Sequence, residues 1–175
     1  MKIKIYTTGG TIDKVYFDQK SDYQVGDPQA NGVLERANVV LDYEVESIIR
    51  KDSLDFTDED RELIRKKVAS TPLERVVITH GTDTMIDTAK VLKNISGKTI
   101  VMTGSMYPAQ FRDSDAVFNI GCAVTAAQIL GPGVYIVMNG RVFKPHQVRK
   151  NVELNRFETP SNSIVPDWKQ IDDSS

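Results

Sequence analysis

Short apolar, β-branched runs alternate along the chain with segments whose apolar residues recur every three to four positions. Ile3 to Thr8 reads as a strand. Val76 to Thr79, Thr99 to Thr103 and Val134 to Met138 are continuous apolar runs, the pattern of parallel strands buried on both faces. Val39 to Val45 alternates instead, with Val39, Leu41, Tyr43 and Val45 set against Asp42 and Glu44, which predicts a strand with one exposed face. Helices are predicted between these runs. Thr57 is a good N-cap for Asp58 to Val68, with acidic residues in the first turn and Arg65, Lys66 and Lys67 near the end, as the helix dipole favours. Asp83 to Lys93 places Met85, Ala89 and Leu92 at helical spacing. Asp115 to Leu130 places Val117, Ile120, Val124 and Ala127 on one face, and Gly131-Pro132 ends it. Strands alternating with helices of this length imply βαβ units and a three-layer α/β fold, a mostly parallel sheet with helices on both faces.

Composition narrows the functional classes. The chain has 175 residues, 40% hydrophobic and 26% charged, which is the balance of a globular protein. Lys and Arg number 22 against 24 Asp and Glu, a net charge of −2, so nothing favours a polyanion and no nucleic-acid partner is expected. No apolar run approaches the about 18 residues of a membrane span, and the N-terminus lacks the long apolar core of a signal peptide. The expectation is a cytoplasmic protein with no membrane partner. No linker composition announces a second domain. Residues 159–175 carry two prolines and the only Trp, and predict an ordered tail anchored by Ile164 and Trp168.

The chemistry-bearing residues gather after the predicted strands, where open parallel sheets bind ligands. The first strand runs into Thr7-Thr8-Gly9-Gly10-Thr11, a later one into His80-Gly81-Thr82-Asp83-Thr84, the next into Thr103-Gly104-Ser105, and the last into Asn139-Gly140. Hydroxyls supply nucleophiles, and glycines let backbone N–H groups approach a substrate oxygen. Any one of these turns reads equally well as an ordinary capped connection; their convergence is what carries weight. The phosphate-binding patterns G-x-x-x-x-G-K-[ST] and G-x-G-x-x-G are absent, so no nucleotide cofactor is expected. Two histidines (His80, His146) and one thiol (Cys122) give no metal-ligand spacing, so no metal is expected. Cys122 reads as packing, and His80 as shaping the turn before Gly81 rather than as a base. Residues 12–27 form a long polar stretch that fits either an active-site lid or a plain surface hairpin.

Two of these motifs together are specific. Thr8-Gly9-Gly10-Thr11-Ile12 followed by Thr79-His80-Gly81-Thr82-Asp83-Thr84 resembles the bacterial-type L-asparaginase (asparaginase/glutaminase) family. Lys51-Asp52-Ser53-Leu54-Asp55, Thr103-Gly104-Ser105-Met106, Ser114-Asp115 with Asn119, and Val148-Arg149-Lys150 with Phe157 extend the likeness over about residues 3 to 160. The resemblance implies a flavodoxin-like or Rossmann-like N-terminal asparaginase domain and an amidohydrolase, with no cofactor, that converts asparagine to aspartate and ammonia, glutamine being a possible second substrate. Thr11 matches the family's threonine nucleophile and Tyr23, on the lid stretch, the tyrosine that activates it. Thr82, Asp83 and Lys150 match its second constellation. Ser53 and Asp83 match the groups holding the substrate's α-carboxylate and α-amino group, with Gly10, Gly81 and Ser105 beside them. Which threonine attacks is not decided by the residues themselves; the resemblance assigns the attack to Thr11. Usual members carry a second, C-terminal domain that partners the lid tyrosine. The expectation here is a single domain over residues 1–175, complete without that second domain, and a homo-oligomer in which another subunit covers the site. The competing readings are a catalytically silent amino-acid-binding or regulatory domain, and a flavodoxin-like module sharing only the turn chemistry.

Overall fold

The computed structural model describes residues 1–17 and 22–160. Its continuous apolar runs form the middle of a six-stranded sheet. The strands are β1 (Lys2–Gly9), β4 (Asp42–Lys51), β5 (Arg75–Thr79), β6 (Thr99–Thr103), β7 (Gly133–Met138) and β8 (Arg141–Phe143), in the order β4-β1-β5-β6-β7-β8. All neighbours are parallel except β7 and β8. Alternation along each buried run feeds two separate cores. Val76, Ile78, Ile100, Met102 and Ile136 pack under α2 (Asp58–Ser70) and α3 (Met85–Leu92). Ile3, Ile5, Val77, Val101 and Val137 pack under α1 (Ala30–Arg36) and α4 (Ala116–Ile129). Helices therefore cover both faces, as the sequence pattern predicts.

Two short ladders lie outside the main sheet. β2 (Lys14–Phe17) pairs antiparallel with β3 (Asp22–Val25), so the described residues of the 12–27 stretch form a hairpin ladder that follows a 3₁₀ turn at Thr11–Asp13. β9 (Arg149–Asn151) pairs with β10 (Arg156–Glu158), placing Lys150 opposite Phe157.

Several elements depart from expectation. The strand expected at Val39 to Val45 starts at Asp42, where it meets Lys2, and runs on to Lys51. Val39 and Leu41 precede it but still pack on the α1–α4 core, which is why their spacing looked strand-like. The other face carries Glu44 and Glu46, paired with Lys2 and Lys4. Val117, expected on the inner face of α4 with Ile120, Val124 and Ala127, is half exposed, because the helix is apolar nearly all round and buries Ala116, Ala123 and Ala126 instead. The α2 cap is as predicted. Thr57 Oγ1 accepts from the Asp60 amide, and Asp60 Oδ2 accepts from the Thr57 amide. The tail anchors Ile164 and Trp168 lie outside the described residues.

Candidate active site

In a sheet ordered 2-1-3-4-5, the chain departs in opposite directions from the first strand and the third. A crevice is left at their carboxyl ends, the place where such folds bind ligands. Here that point lies between β1 and β5, and the two threonine-bearing turns meet there.

The first turn depends on glycine. Gly9 and Gly10 have φ of 86° and 88°, which L side chains rarely adopt. A Cβ on Gly10 would lie 2.4 Å from the Cα of Gly81, so the turn after β1 rests directly on the turn after β5. The Gly10 amide donates to Lys51 O at 3.0 Å, tying in the end of β4 as well. Thr11 follows, half-buried, at the head of the 3₁₀ turn. Beyond β4, Asp52 Oδ1 accepts from the Leu54 amide and caps the 3₁₀ turn Ser53–Asp55. Ser53 is fully buried. Its carbonyl accepts from Thr84 Oγ1 at 2.8 Å, and its own hydroxyl lies against Gly81 without a hydrogen-bond partner among the described residues. Thr7 Oγ1 and Thr79 Oγ1 are likewise unpartnered, so what sets the Ser53 hydroxyl apart is its place beside Gly81.

The turn after β5 is held by His80. Its Nδ1–H donates to Gly81 O at 2.8 Å, and its Nε2 accepts from Thr88 Oγ1 at 2.8 Å. The ring is fully buried, and burial brings its pKa down to about 4. His80 is therefore a neutral spacer with both nitrogens engaged, as its place before Gly81 suggested. Next come Thr82, buried, and Asp83, more open to solvent. Lys150 reaches them from β9. Its Nζ donates to Thr82 Oγ1 at 2.8 Å and pairs with Asp83 Oδ1 at 2.7 Å. Residues 68 positions apart are thus joined into one hydrogen-bonded chain. The β9–β10 hairpin carrying the lysine is secured by Phe157, whose ring is buried and whose amide donates to Asn139 Oδ1 at 2.8 Å.

The turn after β6 and the loop beyond it form a wall. Gly104 sits against His80 O, where a Cβ would clash. Ser105 is buried, and its hydroxyl donates to Tyr107 O within the loop. Asp115 accepts from the Met106 and Tyr107 amides, and Asn119 Nδ2 donates to Asp115 Oδ2 and to Gly104 O while its Oδ1 accepts from the Asn139 amide. Asn119 so binds the turns after β6 and β7 together. Its signal in the sequence was its place after Ser114-Asp115 in the family likeness. Tyr23 lies on the hairpin, 43% exposed, with its ring edge-on to Tyr16 and, 6.0 Å away, to Phe111 of this wall. The sequence offered no sign of the Phe111 contact. Among the described residues, no group of three His, Cys, Asp or Glu is placed to hold a metal ion.

Fold and site together define an α/β domain whose ligand site opens at the switch point of a parallel sheet, with hydroxyl, amine and carboxylate groups converging there. Residues 2–171 match the family model described as "Asparaginase, N-terminal", and the chain belongs to that family. It is 31% identical to the glutaminase-asparaginase of Acinetobacter glutaminasificans over 81% of this chain and 42% of that protein. The thermostable L-asparaginase of Thermococcus kodakarensis superposes with a TM-score of 0.77 at 29% identity, covering 91% of this chain and 51% of that one. The probable cytoplasmic L-asparaginase of Campylobacter jejuni does so at 0.79 and 30%, covering 91% and 53%. The chain spans about half the length of the relatives it matches. No described helix is long and apolar enough to cross a membrane.

Proposed function

We propose that this chain hydrolyses the side-chain amide of L-asparagine to L-aspartate and ammonia, with glutamine as a second substrate. The observation that carries this reading is the Lys150–Thr82–Asp83 chain, assembled from two distant segments beside the Thr11 turn. Two of the relatives' names, asparaginase and glutaminase-asparaginase, support the substrate class.

In this reading the Asp83 carboxylate receives the substrate's α-ammonium group and Ser53 donates its unspent hydroxyl to the α-carboxylate. Gly10, Gly81 and Ser105 line the crevice. Thr11 Oγ attacks the amide carbon while Tyr23 takes its proton. Turn N–H groups stabilise the developing oxyanion. The C–N bond then breaks, the proton passes to the departing nitrogen, and ammonia leaves an acyl ester on Thr11. Water activated by Thr82 and Lys150 cleaves that ester and returns a proton to Thr11. Lys150 acts as a base only from its neutral amine.

Ammonia release from asparagine, from glutamine and from a blank tests the proposal. Thr11→Ala, Thr82→Ala and Lys150→Met are expected each to lower turnover by roughly three orders of magnitude or more while leaving the fold intact, because Thr11 and Thr82 lie in turns and Lys150 in the small β9–β10 ladder, none of them in either hydrophobic core. Wild-type turnover in any of them would reject the role given to that residue. The chain spans only half of its relatives, so the second reading is a domain that binds the amino acid without turning it over. Saturable binding of asparagine by calorimetry with no ammonia released would establish that instead. The reading includes a cytoplasmic location, which is also part of the Campylobacter neighbour's name. It also includes assembly as a homo-oligomer.

A further inference from the structure

Asp13 lies two residues beyond Thr11, is 1% exposed and has no part in the reaction described above. Three chain segments meet on it. Its amide donates to Gly10 O at 3.1 Å, closing the turn that contains Thr11. Its carbonyl accepts from the Gly26 amide at 2.8 Å, fastening the far end of the β2–β3 hairpin that carries Tyr23. Its carboxylate Oδ1 accepts from the Gln29 amide at 2.8 Å, fixing the residue from which α1 starts. Gly26 is itself wedged in place. A Cβ there would lie 3.0 Å from the Val15 methyls and 3.4 Å from Asp13 O. The same turn is held from its other side by the Ala109 amide, which donates to Ile12 O at 3.1 Å.

We infer that Asp13 is a positioning residue: its backbone clamps the Thr11 turn to the Tyr23 hairpin, and its buried carboxylate, bonded to the Gln29 amide, holds that clamp against the start of α1. The proposal rests on the asparaginase reading for its catalytic consequence and on geometry for the tie.

The charged groups around Asp13 are Arg50 of β4, whose guanidinium pairs with Asp27 at 2.7 Å, and Lys14 of the hairpin, which pairs with Asp52 at 2.6 Å. From α1 and from the 105–114 loop, the backbone of Gln29 and of Ala109 meets this turn. Burial outweighs the Arg50 charge and pushes the Asp13 carboxyl up to about 6. The folded state therefore favours the neutral carboxyl, and the clamp is expected to hold at least as well below that value as above it.

Two measurements on Asp13→Asn and Asp13→Ala test the inference. Hydrogen exchange at the Gly26 and Gln29 amides reads the tie without reference to any activity. Exchange should quicken at least tenfold at both amides in Asp13→Ala and far less in Asp13→Asn, which keeps an acceptor oxygen for the Gln29 amide. Amide hydrolysis reads the consequence. In Asp13→Ala, kcat should fall on the order of 100-fold, the scale of a misplaced reacting group, with KM moving much less. Asp13→Asn, which keeps the acceptor, should restore most of the wild-type kcat. Unchanged exchange in Asp13→Ala overturns the tie, and faster exchange with wild-type kcat overturns its role in positioning. Exchange that quickens as expected, with no amide hydrolysed by the wild type, would refute the asparaginase reading while upholding the tie. If Asp13→Ala does not fold, Gln29→Pro, which removes the amide donor and leaves Asp13 in place, should quicken Gly26 exchange and lower kcat in the same way, and wild-type values of both would overturn the inference.

Discussion

At the scale of single residues, two buried groups near the crevice titrate against each other. Asp13 has its pKa raised to about 6 and His80 has its pKa lowered to about 4, in both cases chiefly by burial. A carboxyl with a raised folded-state pKa contributes stability below its unfolded value that is lost as pH rises through the folded one. A histidine with a lowered pKa contributes stability present above 6.5 and lost as pH falls toward 4. Between about pH 4 and 6 the two therefore oppose each other. Asp13→Asn removes one of them. Its stability relative to wild type is expected to climb with pH across that window, by an amount on the order of 3 kcal/mol at most. Chemical denaturation of both proteins at several pH values checks this, and a difference that stays level with pH would contradict it. Asp13 was not legible in the sequence, because a polar residue after a glycine turn is ordinary. Its burial comes from Gly26 and Gln29, which local spacing does not bring near it. Thr11, Thr82 and Asp83 were singled out because the glycine-bearing turns that carry them follow apolar strands, and the family resemblance supplied their roles.

At the scale of elements, the runs buried on both faces could be read directly, since neither face needs a polar residue and the apolar signal is uninterrupted. β4 was offset because its inward face continues from the preceding loop. β8, β9 and β10 have three residues each, too short to show a period, and their pairing depends on contacts distant in sequence. α2 shows the opposite case, a terminus whose hydrogen bonds are local and hence predictable. Thr57→Ala removes one side of its reciprocal cap and should cost about 1 kcal/mol. In a chain of this size that lowers Tm by roughly 2–4 °C. Calorimetry would test it, and because Thr57 lies outside the crevice, kcat should be unaffected. No change in Tm would mean that Asp60, also held by Lys51 at 2.8 Å, secures the helix start without Thr57.

At the scale of the whole molecule, the open side of the crevice carries exposed aromatic rings, Tyr16, Tyr23, Tyr107 and Phe111, on the hairpin and the facing wall. Rings grouped at the mouth of a site favour cover by another surface. If a second copy supplies it, specific activity should fall on dilution as subunits part. A dilution series alongside sedimentation mass checks this, and constant specific activity with a monomeric mass would defeat it. The molecule is also uneven in how firmly its parts are held. Thr82 belongs to the central sheet, whereas the amine that meets it stands on a three-residue strand in a two-stranded ladder, attached through Phe157 and Asn139. Protein segments open independently of one another, and a small ladder opens at far lower free energy than a six-stranded core. Warming or mild denaturant would therefore detach Lys150 from Thr82 while the sheet, and every spectroscopic sign of it, persists. The chain would then be folded but disarmed, and its working temperature would be set by the hairpin rather than by the fold.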